Sequence, residues 1–301
     1  MATSIAWLMN LDADVELSAP AAYRPDLERE ARIVELVARM ATLVRSDDVV
    51  LGAHAQADVV AAAGRRVLAF CPTPHALRRL HAIGLELSVA APDLAALREA
   101  NGRAFCARLG QTLAGASYVY DMETLEQLVK SCEPDQDLVL KRPFGFAGRE
   151  RRRAIGGVLD ASSRGFARRS FESGEGLQVE PWLRRTRDFA LHGYLAADGT
   201  LLSGPLMEQH CDAMGRWLRS SPALEPLPPA HRARLDHELA HSGRALHAIG
   251  YFGPFGLDAF EYQGPGGALE FQPRSEINAR FSMGYPRSLL ERALTELMGP
   301  S

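Results

Sequence analysis

Lysine is almost missing from this chain: of 34 basic residues among its 301 positions, only Lys130 and Lys141 are lysines. A drift towards arginine accounts for most of that bias, and it marks a lysine that has stayed a lysine as a candidate for use as a compact point charge. Cysteine is sparse as well. Cys71, Cys106, Cys132 and Cys211 form no CxxC pair, which argues against a zinc site and a disulfide framework. The longest apolar stretches, such as "SIAWLM" and "VVLGAHA", fall well short of a bilayer span, and the first residues lack the basic flank and small-residue cleavage site of a secretory signal. A cytoplasmic protein with no membrane partner is the expectation. The formal net charge of −3 offers no general field for nucleic acid. With 47% hydrophobic and 24% charged positions and no internal repeat, what remains is an ordinary globular chain of one large or two smaller domains.

The apolar pattern predicts alternating strands and helices at the start. "SIAWLMNLD" and "DVVLG" read as strands around the amphipathic helix "DLEREARIVELVARMATLV", and the strand "RRVLAFCPTP" leads into the helix "HALRRLHAIG". Such alternation predicts a parallel sheet and a small α/β domain over 1–98. "APDLAALREANGRAF" is the expected link to a second domain over 99–301. There, two helices are predicted around "QTLAGASYVY", then the strand "DLVLK", the helix "DASSRGFARRSFESGEG", the strands "LQVEPWL" and "DFALHGYLAADGTLL", a long helix "HRARLDHELAHSGRALHAIG" and a final hairpin. The fold class is α/β (α+β).

Three stretches carry chemistry. Lys141 ends the strand "DLVLK" and is followed by "GFAG", whose Gly145 and Gly148 let backbone N–H groups approach a ligand closely. The spacing is neither GxxxxGK[ST] nor GxGxxG, so this is no Walker A or dinucleotide loop. A surface hairpin carrying a solvated "RERRR" run (Arg149, Arg151, Arg152, Arg153 among it) is the competing reading. In "LQVEPWL", Glu180 ends an apolar strand beside Trp182 and Leu183, a combination of acceptor and flat apolar wall that suits adenine, and Asp188 follows as an acceptor for ribose hydroxyls. In the C-terminal hairpin Glu276 and Asn278 share a face that Asp258 on the partner strand can join, giving hard oxygen ligands suited to Mg²⁺. Arg280 is then placed for a phosphoryl group or a substrate carboxylate.

Taken in order, a lysine strand with a glycine loop, an acid at an apolar strand end, "GLDAF" and "EINAR" resemble the ATP-grasp superfamily, over residues 99 to the C-terminus. The resemblance implies a small N-terminal α/β domain before a two-subdomain ATP-grasp fold. It gives Lys141 the nucleotide phosphates, "GFAG" the mobile loop above them, Glu180 with the Trp182 and Leu183 backbone the adenine, and Asp188 the ribose. Asp258, Glu276 and Asn278 become magnesium ligands. It further implies ATP-dependent ligation of a small-molecule or peptide carboxylate to an amine through an acylphosphate, with Mg²⁺, and homodimerisation as is common among such ligases. Arg280 is then the candidate for stabilising the acylphosphate and Arg274 for the substrate carboxylate.

Two departures stand out. Where the family carries an early lysine this chain offers Arg103, and "EFQPR" at Glu270 competes with Glu276 to Arg280 as the metal motif. Cys71 and His75, at the expected edge of the first sheet, are weaker candidates for substrate contact. His192, His210 and His247 are too dispersed for a metal site and read as core or surface residues. A phosphotransferase using the same nucleotide site and a non-catalytic nucleotide-binding regulator remain as alternatives.

Overall fold

The computed structural model describes residues 4–52, 55–110, 113–145, 150–212 and 216–297. Short apolar strands dictate its first layer: β1 (Ile5–Leu8), β2 (Val49–Val50) and β3 (Arg66–Ala69) form a parallel sheet in the order β2-β1-β3. Every residue of β1 is buried, as befits a parallel strand covered on both faces. Ala6 and Leu8 join the core formed with Ala76 and Leu80 of α4 (Pro74–Ala82), while Ile5 and Trp7 turn the other way. Helix α4 starts where Thr73 caps it, accepting from the Ala76 N–H, with Pro74 in the first turn. Around this sheet lie α1 (Ala13–Ser18), α2 (Leu27–Val37) and α3 (Ala55–Ala62).

Two antiparallel sheets follow. The helices α5 (Leu94–Asn101) and α6 (Arg103–Arg108) lead into β4 (Ser117–Val119), α7 (Met122–Ser131), β5 (Asp137–Lys141), β6 (Arg151–Ile155), α8 (Ala161–Glu172) and β7 (Leu177–Pro181), whose strands order as β4-β7-β5-β6. The third sheet holds β8 (Arg185–Leu195), β9 (Leu201–Cys211), β10 (Trp217–Pro222), β11 (Gly253–Gln263) and β12 (Leu269–Asn278) in the order β10-β9-β8-β11-β12, with α9 (Pro229–Ala248) and α10 (Arg287–Glu296) packed on it. The architecture is the α/β (α+β) one expected.

The differences in detail have physical causes. Residue 98, in the stretch expected to link two domains, lies inside α5, whose Leu97 and Ala100 are buried in the main core. Ser117–Val119, expected between helices, pairs with β7 as an edge strand, which "SYV" suits by its aromatic and β-branched side chains. Of the "RERRR" run, Arg151 to Arg153 belong to β6, which forms a hairpin with β5. Its Arg151 and Arg153 share one face and lie over the Trp182 ring at 5.8 and 4.5 Å, while Arg152 on the opposite face donates to Ser163.

Where the cores lie decides where the cleft opens. One apolar cluster runs from Trp7 and Phe70 through Phe255 and Leu257 to Tyr285 and Leu290, so the first and third sheets are built around a common core. The middle sheet has a core of its own, made by Leu125, Leu138, Leu140, Phe166 and Leu177. A polar cleft runs between the two.

A buried ion pair ties the N-terminal strands to the last helix. Arg287 of α10 donates to both carboxylate oxygens of Asp48, at 2.6 and 3.1 Å, and Asp48 also accepts from the Trp7 indole and from the N–H groups of Ile5 and Arg45. Burial alone would raise the Asp48 pKa, but Arg287 and these N–H groups outweigh it and hold it below the ordinary carboxylate range. The pair's contribution is therefore complete above the pKa of an unfolded aspartate and lost as the pH falls through the lower folded value. Arg287→Ala strands the carboxylate and is expected to cost about 3–5 kcal/mol at pH 7. Urea unfolding should show it, with the deficit shrinking in acid; a loss under 1 kcal/mol, on the order of an exposed pair, would contradict this account.

Candidate active site

Lys141 stands at the end of β5, diagonal to Glu180 near the end of β7: the strands pair antiparallel with Val139 facing Glu180 and Lys141 facing Gln178, so the two side chains share one face. The Lys141 ammonium donates to Glu180 Oε2 at 2.6 Å, and both side chains are buried. A charge kept at the floor of a cleft needs such a partner, since an unpaired ammonium would be desolvated at high cost. Nothing in the local pattern indicates that the two would touch. Above them a cavity of about 490 Å³ is walled by Leu113, Val139, Trp182, Leu183 and Phe260, with Asp188 and Glu208 at its polar edge. The Trp182 N–H already donates to the Asp137 carbonyl at 2.8 Å, so that backbone donor serves the sheet. Asp188 accepts from Arg185 at 2.9 Å, and the Arg185 guanidinium lies 4.0 Å from the Phe260 ring centre.

A second cavity, of about 180 Å³, continues from the first and shares Lys141, Arg151, Arg185, Asp188, Gln209 and Cys211 with it. Its floor is the β11–β12 pair. Register sets Asp258 opposite Glu276, and Gly256 opposite Asn278, so the two acids sit side by side on the sheet. Asp258 accepts from Gln209 at 2.7 Å and from the Asn278 amide at 3.2 Å. Burial, followed by the neighbouring Glu276 charge, pushes the Asp258 pKa up to about 6. Glu276 goes the other way: burial alone would raise it, but Arg103, Lys141 and Arg280 hold it below the ordinary carboxylate range. Arg103 makes that bond at 2.7 Å and also donates to the Arg142 carbonyl at 2.6 Å, joining α6 to both sheets. Gly145 lines this cavity, whereas Gly148 and Arg149 lie outside the described residues.

Arg280 also reaches the cavity, but its guanidinium is bound to Asp14 of α1 at 2.6 Å and donates to the Phe281 carbonyl. Arg274 is not brought into the cluster. It is buried on the α9 side, where it donates to Glu238 at 2.8 Å and to the carbonyls of Cys106 and Gly110. Glu270 is equally remote, accepting from the Tyr262 hydroxyl near the other end of the hairpin. Cys71 is fully buried, and His75 packs edge-on to Tyr23 beside a different cavity.

Several cleft residues escaped the sequence reading. Gln209 and Cys211 end an apolar strand whose polar tail, "EQHC", was the available signal; Arg185, Trp217 and Ser282 had none stronger than their neighbourhood. Burial, followed by nearby acids, pushes the Cys211 thiol pKa up to about 12, which favours the protonated thiol. Asp258, Glu276 and Asn278 present hard oxygen donors, and two acids crowded together with one of them weakly acidic form a set that a divalent cation would relieve.

No family profile and no characterised sequence matches the chain. Among solved structures, a biotin carboxylase from Campylobacter jejuni, solved as a β,γ-ATP complex, matches at 16% identity with a TM-score of 0.59, covering 100% of this chain and 72% of that one. The biotin carboxylase domain of the Hydrogenobacter thermophilus 2-oxoglutarate carboxylase, solved with MgADP, ADP and bicarbonate, matches at 15% identity with a TM-score of 0.51. There the match covers 94% of this chain and 65% of the other. With these architectures as its counterparts, a cleft between two antiparallel sheets and a small parallel sheet in front, the chain has the ATP-grasp fold.

Proposed function

We propose that this chain is an ATP-dependent ligase that joins a carboxylate to an amine through an acylphosphate, releasing ADP and phosphate, with Mg²⁺ as its metal. The observation that carries the reading is the pairing, in one cleft, of a buried Lys141–Glu180 contact with the Asp258, Glu276 and Asn278 cluster. Amino acids and small peptides are the substrate class to try first.

Each group then has a task. Glu180 offers an acceptor to the adenine amino group between the apolar walls Leu113, Leu183 and Phe260. Asp188 accepts from ribose hydroxyls. Lys141, Arg151 and Arg185 supply positive charge to the phosphates. Asp258, Glu276 and Asn278 would hold Mg²⁺, which neutralises phosphate charge when bound. The substrate carboxylate attacks the γ-phosphorus and the bond to ADP breaks; the amine nitrogen then attacks the acyl carbon, phosphate leaves and the amine gives up a proton. Positioning and charge stabilisation account for such chemistry without a side-chain nucleophile. A high thiol pKa at Cys211 agrees with that.

ADP release from Mg·ATP against a pooled amino-acid panel, with mass spectrometry of products, tests the reading. A condensed product supports it, and a phosphorylated product that accumulates would favour phosphoryl transfer instead. Glu276→Gln is expected to abolish turnover with an unchanged circular dichroism spectrum; full activity would discard the metal assignment. Lys141→Ala should weaken Mg·ADP binding at least about tenfold, in line with the loss of one charge-assisted hydrogen bond, and unchanged affinity in calorimetry would remove the phosphate role.

Asp258 gives a stability prediction. Its folded pKa, about 6, lies above that of an unfolded aspartate, so its ionisation destabilises the metal-free fold as the pH rises through that interval. Asp258→Asn should therefore stabilise the metal-free protein by about 1–2 kcal/mol at pH 8. The gain should vanish near pH 4, and thermal unfolding that shows a loss at pH 8 would contradict it.

A further inference from the structure

The best-held side chain in the cleft that the foregoing chemistry leaves idle is Ser282. It lies just past β12, lines the smaller cavity together with Phe70, Trp217, Arg280 and Met283, and is half-buried. Its Oγ is 2.7 Å from His192 Nε2, a ring on β8 in the shared core of the first and third sheets. His192 is 1% exposed, and its other nitrogen, Nδ1, has no hydrogen-bond partner. Burial lowers its pKa to about 3, so the ring is neutral at any working pH.

The surroundings are shaped around that ring. Gly256 on β11 faces His192, and a Cβ there would lie 2.8 Å from the ring's Cδ2, so only glycine leaves the ring its place. The Tyr285 ring meets the imidazole edge-on at 5.1 Å. A neutral imidazole carries one N–H and one bare lone pair, and a buried N–H without a partner is the rarer orphan. That assigns the proton to Nε2 and leaves the lone pair at Nδ1 bare. His192 then donates to Ser282 Oγ, and the hydroxyl proton of Ser282 is free to point elsewhere. Among the described residues no acceptor receives it, and the side chain opens on the cavity that holds Arg280, Asp258 and Glu276.

We propose that Ser282, fixed by His192, is a substrate-positioning residue that donates its hydroxyl proton to the carboxylate of the substrate at the Arg280 end of the cavity. The inference rests on the ligase reading above and adds to it a binding point for the carboxylate. The acceptor is an anion because five guanidinium and ammonium groups line this cavity against three carboxylates, although Arg280 itself is already paired with Asp14. The rest of that end, Phe70, Trp217 and Met283, is apolar, so the group carrying the carboxylate is short and uncharged there. Nothing in this arrangement asks Ser282 to act as a nucleophile: with the ring proton on Nε2, His192 cannot take the serine proton.

Binding of ¹³C-labelled acetate to the full chain saturated with Mg·ADP, followed by line broadening, tests this directly. Ser282→Ala is expected to weaken acetate about tenfold, the loss of one hydrogen bond to a charged group, while Mg·ADP affinity stays unchanged. Ser282→Thr, which keeps the hydroxyl, should bind acetate within about threefold of the parent, whereas a role limited to packing would not be rescued in this way. His192→Gln, checked for an intact fold by its melting curve, should also weaken acetate, since the hydroxyl loses its anchor. Acetate bound equally well by Ser282→Ala, or no acetate bound by a parent protein that binds Mg·ADP, would overturn the inference and leave the nucleotide reading standing. A parent protein that binds no Mg·ADP would overturn both.

Discussion

Two carboxylates held at one register position of a sheet repel each other, and much of this cleft is arranged around that repulsion. Asp258 and Glu276 face one another across β11 and β12, a pairing fixed by backbone hydrogen bonds that the side chains cannot escape. The surroundings treat the two acids unequally. Arg103, Lys141 and Arg280 keep Glu276 ionised, while Asp258 is left with two neutral donors, Gln209 and Asn278, and becomes a weak acid. Arg103, Lys141 and Gln209 come from three different elements, so the charge pattern also locks α6, β5 and β9 onto the same place.

The same logic extends outward. Arg280 bonds Asp14 and thereby links the cleft to the N-terminal helices, as Arg287 links α10 to Asp48. These buried pairs join segments far apart in the chain, and removing one partner of such a pair leaves a charge in a place water cannot reach. The parallel sheet is thus part of the cleft's wall and not a separate appendage, with Phe70 at the end of β3 facing the smaller cavity. A cleft built this way would feel changes in the parallel sheet directly.

Legibility was uneven for identifiable reasons. That Lys141 and Glu180 share a face, and Asp258 a face with Glu276, could be anticipated because all four lie within strands, where alternation tells which face a side chain takes. Glu276 and Glu270 could not be separated by spacing, since both precede a polar residue by two positions; the strand register sets Glu276 opposite Asp258 and Glu270 opposite Tyr262. Arg274 looked like its neighbours in the motif, yet an irregularity in the β11–β12 pairing accompanies its turn to the α9 side. Arg151 looked like part of a solvated run until β6 paired with β5 and set it against Trp182. His192 and Ser282 were invisible as a pair, being 90 positions apart.

By itself, then, the sequence determined the alternation of strands and helices, the class of fold and the presence of residue types whose chemistry suits a nucleotide and a hard cation, because these follow from periodicity and side-chain chemistry within short windows. The tertiary structure alone decided which acid stands beside Asp258, which arginines face the cleft, that Lys141 touches Glu180 and that a buried imidazole stands behind Ser282. Those facts depend on strand register and on contacts between remote segments, which no local pattern encodes.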